Sequence, residues 1–410
     1  MQASESALRC NNPIYSVLGA IDAKPRVDKK MIPLALGDPT LYGNLRAPAE
    51  AIAAVHKWTD VFTCHGYQPT VGPDTARAAV AKYMSTDAVT YAQEDIILSP
   101  GASGGIEASM AVLCDAHSNI LIPSPGFASY VVSAGPKYID CRFYKLLPEH
   151  DWEADLEHME SLIDGKTRAI LVNNPSNPCG SNYSRQHLQA IIDLAQRYCI
   201  PIISDEIYAH MTWSGEFVPV ADLASDVPIL TVGGIGKRFI CPGWRIGWIA
   251  IHDPIGAFTT VRQGLSKLTT INLHPCSVMN AALPDILANT PPSYFAGVLR
   301  QLEENASLTA SSLSSAHGLT VTKAKAAMYT MCKIDFSAYK DIHSAIEFVQ
   351  KLVHEQAVLA LPRECFEIED ERTQTERDSE GFIRIVISHP KDVLMDAYAR
   401  IHEFCTAHAV

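Results

Sequence analysis

The stretch Arg168-Ala169-Ile170-Leu171-Val172-Asn173-Asn174-Pro175-Ser176-Asn177-Pro178-Cys179-Gly180, followed by Ser184 to Tyr198 and then by Ile200-Pro201-Ile202-Ile203-Ser204-Asp205-Glu206-Ile207-Tyr208, decides the fold. Two short apolar runs flank a segment in which Leu188, Ile191, Ile192 and Ala195 form one helical stripe, with Ser184 placed to cap its first turn. Apolar runs without polar alternation suit strands buried on both faces, and a helix between two of them implies a parallel crossover. The pattern continues outward. Asp95-Ile96-Ile97-Leu98 precedes a small-residue turn and a helix-like segment from Ile106 to Cys114. Asn119-Ile120-Leu121-Ile122 precedes Pro123-Ser124-Pro125-Gly126, and Ile229-Leu230-Thr231-Val232 closes the series. The expectation is an α/β fold with a large, mostly parallel sheet flanked by helices.

The last third reads differently. Tyr329 to Phe336 and Phe382 to Ile387 look like strands of a second sheet, and Val393 to Phe404 like an amphipathic helix. We therefore expect a large domain over residues 50–300 and a smaller α+β domain from residues 1–49 and 301–410. The charged run from Glu364 to Glu380 reads as a solvated loop. Hydrophobic residues make up 47% of the 410 and charged residues 19%, as in an ordinary globular protein. A net charge of -12 argues against nucleic acid or an anionic membrane as partner. No apolar stretch is long enough for a membrane span. Eleven irregularly spaced cysteines read as reduced thiols. The start, Met1-Gln2-Ala3-Ser4-Glu5, carries no secretory pattern, so the cytoplasm is expected, with the mitochondrion left open.

In an open α/β sheet, ligands gather beyond the carboxyl ends of the strands. Four loops lie there. Ser99-Pro100-Gly101-Ala102-Ser103-Gly104-Gly105 either binds an anion at a helix start or is a plain glycine-rich turn. Asn173 to Gly180 has N-P-x-N-P-x-G spacing, whose two Asn-Pro steps restrain the backbone, as a rigid turn or as a seat for Asn177. Asp205, at the end of a core strand, is costly unless paired: it caps the next element or meets a cation, with Tyr208 three residues on. Glu206 is solvent-facing or structural. The fourth loop, Gly233-Gly234-Ile235-Gly236-Lys237-Arg238, holds a lysine whose cationic neighbours Arg238 and Arg245 would depress its pKa, as suits a Schiff-base nucleophile. An arginine nearby in Gly243-Trp244-Arg245 suggests a phosphate clamp, and lysine plus clamp call for an aldehyde-bearing phosphate cofactor.

The ordered set Asn177, Asp205, Tyr208, Lys237 and Arg245 resembles the active-site series of fold-type I pyridoxal-phosphate-dependent aminotransferases. The resemblance runs from Asn12-Pro13-Ile14 to the C-terminus. The N-P-x-N-P-x-G loop is similar to that of the tyrosine, alanine and kynurenine subgroup, and Gly234, three residues before the lysine, favours its tyrosine-type members. The resemblance implies pyridoxal 5'-phosphate linked to Lys237, with Asp205 on the ring nitrogen and Asn177 and Tyr208 on the ring oxygen. It places Ala102, Ser103 and Arg245 on the phosphate and Phe127 against the ring. Arg384 and Gly37 would receive the substrate carboxylate. Tyr67 would reach the neighbouring subunit's cofactor, making a homodimer. The implied reaction is ping-pong transfer between an aromatic L-amino acid and a 2-oxo acid; a β-lyase or synthase on the same fold and an alanine- or kynurenine-type activity stand as alternatives. Tyr15 departs from the tyrosine-type pattern, which carries arginine there, and the acidic stretch Glu367 to Glu380 is longer than usual.

Overall fold

Alternate residues of the central strands sort onto two faces, and both faces are covered. In the computed structural model, which describes residues 2–273, 275–367 and 379–410, Ile120, Ile122, Leu171, Ile203, Leu230 and Ile249 pack into one cluster. Their neighbours Leu121, Ile170, Val172, Ile202, Ile229 and Ala250 pack into another on the opposite face. Period-two side-chain direction makes this split, and each fully buried isoleucine contributes about 1.5–3 kcal/mol.

After a two-residue strand β1 (Ile32–Pro33), the large sheet uses β2 (Ile96–Pro100), β3 (Asn119–Ser124), β4 (Asp140–Leu147), β5 (Glu153–Ala154), β6 (Thr167–Asn173), β7 (Ile202–Asp205), β8 (Ile229–Gly234) and β9 (Ile246–His252). Their spatial order is β2-β9-β8-β7-β6-β3-β4-β5. The pairs β4–β3, β3–β6, β6–β7 and β7–β8 are parallel. Strand β9 is antiparallel to both β8 and β2, so the sheet is mixed but mostly parallel. The strand β9 was hidden because its start merges with the Gly243–Gly247 loop. Its reversal matters. An antiparallel strand begins at the edge where its neighbours end, so Arg245 arrives beside the ends of β2 and β8.

The helix after β2 spans Gly101–Leu113, five residues earlier than its apolar stripe suggests. The small residues of that first turn let the helix sit on the sheet: a Cβ on Gly105 would lie 2.9 Å from Val232. The helix Arg185–Arg197 has the expected cap, Ser184 accepting from the His187 amide.

The second sheet is antiparallel, β10 (Leu319–Val321), β11 (Tyr329–Asp335), β14 (Glu380–Val386) and β13 (Leu361–Pro362) in that order, while β12 (Val358–Leu359) pairs in parallel with β1. Its core joins Ile32 and Leu34 to Ile334, Phe348, Ile383, Ile385 and Phe404. The helix Lys391–His408 supplies Phe404. Residues 368–378 of the charged run lie outside the described residues. Among the described residues no helix is long and apolar enough to cross a membrane.

Candidate active site

The edge where β6, β7 and β8 end opens into a cavity of about 370 Å³ between the two sheets. Gly37, Ala102, Ser103, Phe127, Asn177, Asp205, Tyr208, Lys237, Arg245 and Arg384 all line it. Tyr67 does not; it stands 89% exposed elsewhere on this chain's surface.

Lys237 follows β8 and donates from Nζ to the carbonyl of Gly37 at 2.7 Å. Its amine lies 5.9 Å from the centroid of the Tyr208 ring. Asp205, the last residue of β7, is buried. Its Oδ2 accepts from the Tyr130 hydroxyl at 2.8 Å and its Oδ1 from the Ile207 amide at 3.2 Å. The capping role is therefore real, and it coexists with a carboxyl facing the cavity. Burial pushes this carboxyl up to about 6, against the lowering effect of those two hydrogen bonds.

Asn173 ties the neighbouring strand ends together. Its Nδ2 donates to the Asp205 carbonyl at 3.1 Å and its Oδ1 accepts from the Asn177 amide at 2.8 Å. Asn177 then accepts at Oδ1 from Nη1 of Arg384 at 2.8 Å, leaving its amide group to face the cavity as a donor. Arg384 comes from β14 of the other sheet. It also donates to the carbonyl of Ala35 and is held between the rings of Tyr329 and Phe366, at 4.4 and 4.6 Å. Desolvation lowers its pKa. Its Nε has no partner among the described residues.

On the far side, Nη2 of Arg245 donates to the Ser103 hydroxyl at 2.8 Å and to the Pro100 carbonyl at 3.1 Å. Gly101 makes room for this: a Cβ there would lie 2.6 Å from the guanidinium, and its φ is +71°. Ala102 and Ser103 occupy the first turn of the helix Gly101–Leu113, where backbone N–H groups have no acceptor within the helix. Phe127 meets Tyr130 edge-on at 5.8 Å. Tyr15 stands 72% exposed at the mouth, beside Ile14 and Leu36; it is not packed into an interface within the chain.

One expectation is corrected and one open pair of readings is narrowed. Arg238 is not a cavity neighbour of the lysine. It turns to the opposite side, donating to the Tyr83 hydroxyl at 2.7 Å and stacking 4.4 Å over Phe295. Of the two readings of Glu206, solvent-facing or structural, the second holds: it is 3% exposed and accepts from the Ser204 hydroxyl and the Val220 amide. Residue-by-residue reading missed Tyr130, Asn173, Phe366 and Tyr329. Only strand alternation hinted that Tyr329 points inward.

The donor set fits pyridoxal phosphate. A buried carboxyl with a raised pKa awaits a cation, as a protonated ring nitrogen would supply. An arginine and a helix start form an anion seat, and a lysine amine lies in the same cavity. The sequence matches the aminotransferase class I and II family over residues 29–401. It is 40% identical to the tyrosine aminotransferase of Homo sapiens, over 100% of this chain and 88% of that protein. The crystal structure of tyrosine aminotransferase from Leishmania infantum superposes with a TM-score of 0.93 at 34% identity, over 100% of this chain and 99% of that one. An S-alkyl-thiohydroximate lyase from Arabidopsis thaliana is 35% identical over 93% of this chain and 82% of that protein. The chain belongs to the class I and II aminotransferases. It is an aminotransferase, and membership of this family implies dependence on pyridoxal phosphate.

Proposed function

We propose that this enzyme moves an amino group between an aromatic, tyrosine-like L-amino acid and a 2-oxo acid by a ping-pong reaction, with pyridoxal 5'-phosphate seated in the 370 Å³ cavity. The observation that carries the proposal is the meeting of Lys237, Asp205 and Arg384 in that one cavity, from β8, β7 and the second sheet. Bound there, the cofactor supplies an aldehyde for the amine and an electron-withdrawing ring. Asp205 would hold its ring nitrogen protonated, and Asn177 and Tyr208 would donate to its ring oxygen. Ala102, Ser103 and Arg245 would hold its phosphate, with Phe127 against the ring. Lys237, positioned by Gly37, is the nucleophile and the base that takes and returns the substrate α-proton. Arg384, which lines the cavity with Gly37, would fork onto the substrate carboxylate.

The aromatic preference is supported by the mouth. Among the described residues, Lys237, Arg245 and Arg384 are the cations lining the cavity, each already engaged, whereas Ile14, Tyr15 and Leu36 offer apolar and neutral surface. Tyr67 at 89% exposure and Phe62 at 86% support a homodimer in which Tyr67 reaches the partner's cofactor. No disulfide joins the eleven cysteines, which supports a reducing compartment such as the cytoplasm.

The test uses tyrosine labelled with ¹⁵N and a panel of 2-oxo acids. Label appearing in the new amino acid is expected. Ammonia released without any 2-oxo acid would reject transamination in favour of a lyase, the reading that the Arabidopsis thaliana relative keeps in view. Borohydride reduction should attach the cofactor to the peptide containing Lys237.

A further inference from the structure

Tyr329, on β11, has an arrangement in the cavity that none of the roles above uses. It is buried, and the guanidinium carbon of Arg384 sits 4.4 Å from its ring centroid. Its hydroxyl lies 2.8 Å from the hydroxyl of Tyr208, with the two rings nearly perpendicular at 83°. The same hydroxyl abuts Gly37, where a Cβ would stand 2.1 Å from it, and the carbonyl of Gly37 holds the Lys237 amine. One phenol therefore touches Tyr208, Arg384 and the residue on which Lys237 rests.

Two hydroxyls that share one hydrogen bond must divide the roles of donor and acceptor. Burial alone would raise the pKa of Tyr329, but the positive charges of Lys237 and Arg384 together with the hydrogen bond to Tyr208 outweigh it and the net shift is downward. Tyr208 is pushed well above its ordinary value, by burial first and by Tyr329 second. Either hydroxyl could donate in this pair, but each phenol has a single proton, so once Tyr208 directs its own into the cavity Tyr329 must be the donor. A Tyr208 oxygen that accepts from behind has its own proton left to direct into the cavity. Donation in series strengthens each bond in the chain.

We infer that Tyr329 is a positioning residue that fixes the Tyr208 hydroxyl as a donor toward the cavity, and so sets how strongly Tyr208 holds the ring oxygen of the cofactor. The inference rests on the place of Tyr208 proposed above. Without the Tyr329 hydroxyl, Tyr208 can spend its proton elsewhere. A weaker bond to the ring oxygen leaves more negative charge there, which retains the neighbouring proton to higher pH.

Tyr329→Phe keeps the ring beneath Arg384 and removes only the hydroxyl. Pyridoxal phosphate titrated into cofactor-free protein should show a Kd raised about 5-fold, the effect of one ordinary hydrogen bond. The pH midpoint of the visible absorbance of the loaded protein should move upward. Binding of 3-phenylpropionate, an unreactive carboxylate that needs Arg384, should stay within about twofold, because the stack is intact. The Tyr208→Phe/Tyr329→Phe double variant should match Tyr208→Phe alone. Unchanged Kd and midpoint in Tyr329→Phe, or losses that simply add in the double variant, would overturn the inference. If Tyr208→Phe itself leaves both readouts unchanged, the placement of Tyr208 is what fails. Should Tyr329→Phe not fold, 3-fluorotyrosine at position 329 keeps the shape with a more acidic hydroxyl. It should lower the midpoint, and a rise or no change would sink the idea.

Discussion

Asp205 and Glu206 are adjacent acids, and Lys237 and Arg238 are adjacent bases, yet each pair divides between two sides of the same sheet. Asp205 and Lys237 face the 370 Å³ cavity. Glu206 and Arg238 face a smaller one of about 140 Å³ behind it, with Tyr83 and Trp248. Burial raises both carboxyls, Asp205 to about 6 and Glu206 to about 7. Both are raised, yet only Asp205 has a reacting partner in reach. A shifted pKa marks burial; chemistry needs in addition an open face and a complementary group. Glu206 instead spends one oxygen on Ser204 and Val220, holding the chain after β7.

The lysine pair gives the largest expected contrast. Lys237→Ala should lower kcat by at least about 10⁴-fold, since covalent and proton-transfer roles fail together. Arg238→Ala should stay within about tenfold in kcat while lowering Tm, because it loses a hydrogen bond to Tyr83 and its stack on Phe295. Steady-state rates and melting curves of both variants decide it; equal damage to kcat would erase the distinction between the two faces.

The acid pair should separate next. Asp205→Asn is expected to cost about 10²–10⁴-fold in kcat, as a neutral amide cannot keep a ring nitrogen protonated. Glu206→Gln should leave kcat nearly intact and act on stability. Folding raises the Glu206 pKa from 4.5 to about 7, so between those values the folded state holds a proton that the unfolded chain has released. Stability then falls as pH rises through that window, by up to about 1.4 kcal/mol per pH unit. Denaturant unfolding of cofactor-free protein from pH 4.5 to 7 should show a flatter slope in Glu206→Gln than in wild type.

Arg384→Lys tests the contribution of the second sheet. It should raise KM for every amino and oxo acid by roughly 2–4 kcal/mol, because a single ammonium replaces a fork that matches a carboxylate. An effect confined to one substrate would move Arg384 to the side-chain end of the cavity. The smallest effect is at the mouth. Tyr15→Arg should improve aspartate relative to tyrosine in kcat/KM by about 1 kcal/mol, the scale of an exposed ion pair. An unchanged ratio would remove Tyr15 from specificity.

The sequence by itself determined what depends on neighbours along the chain. Strand runs such as Ile170 to Val172 show their burial in composition, Ser184 announces a helix start, and the Asn-Pro loop, Asp205 and Lys237 sit at strand ends whose direction the crossovers dictate. These features are local, so periodicity and turn chemistry reveal them. Tertiary structure alone decided the rest. That Glu206 turns into a second cavity behind the first and not to solvent depends on how the chain after β7 packs, which the short apolar run Ile200 to Ile203 does not display. That Arg384 meets Asn177, 207 positions away, and that Tyr329 meets Tyr208, 121 away, follows from the second sheet closing over the first. Contacts between elements distant in sequence leave no local period, because what fixes them is the packing of whole faces and not the order of residues along either strand.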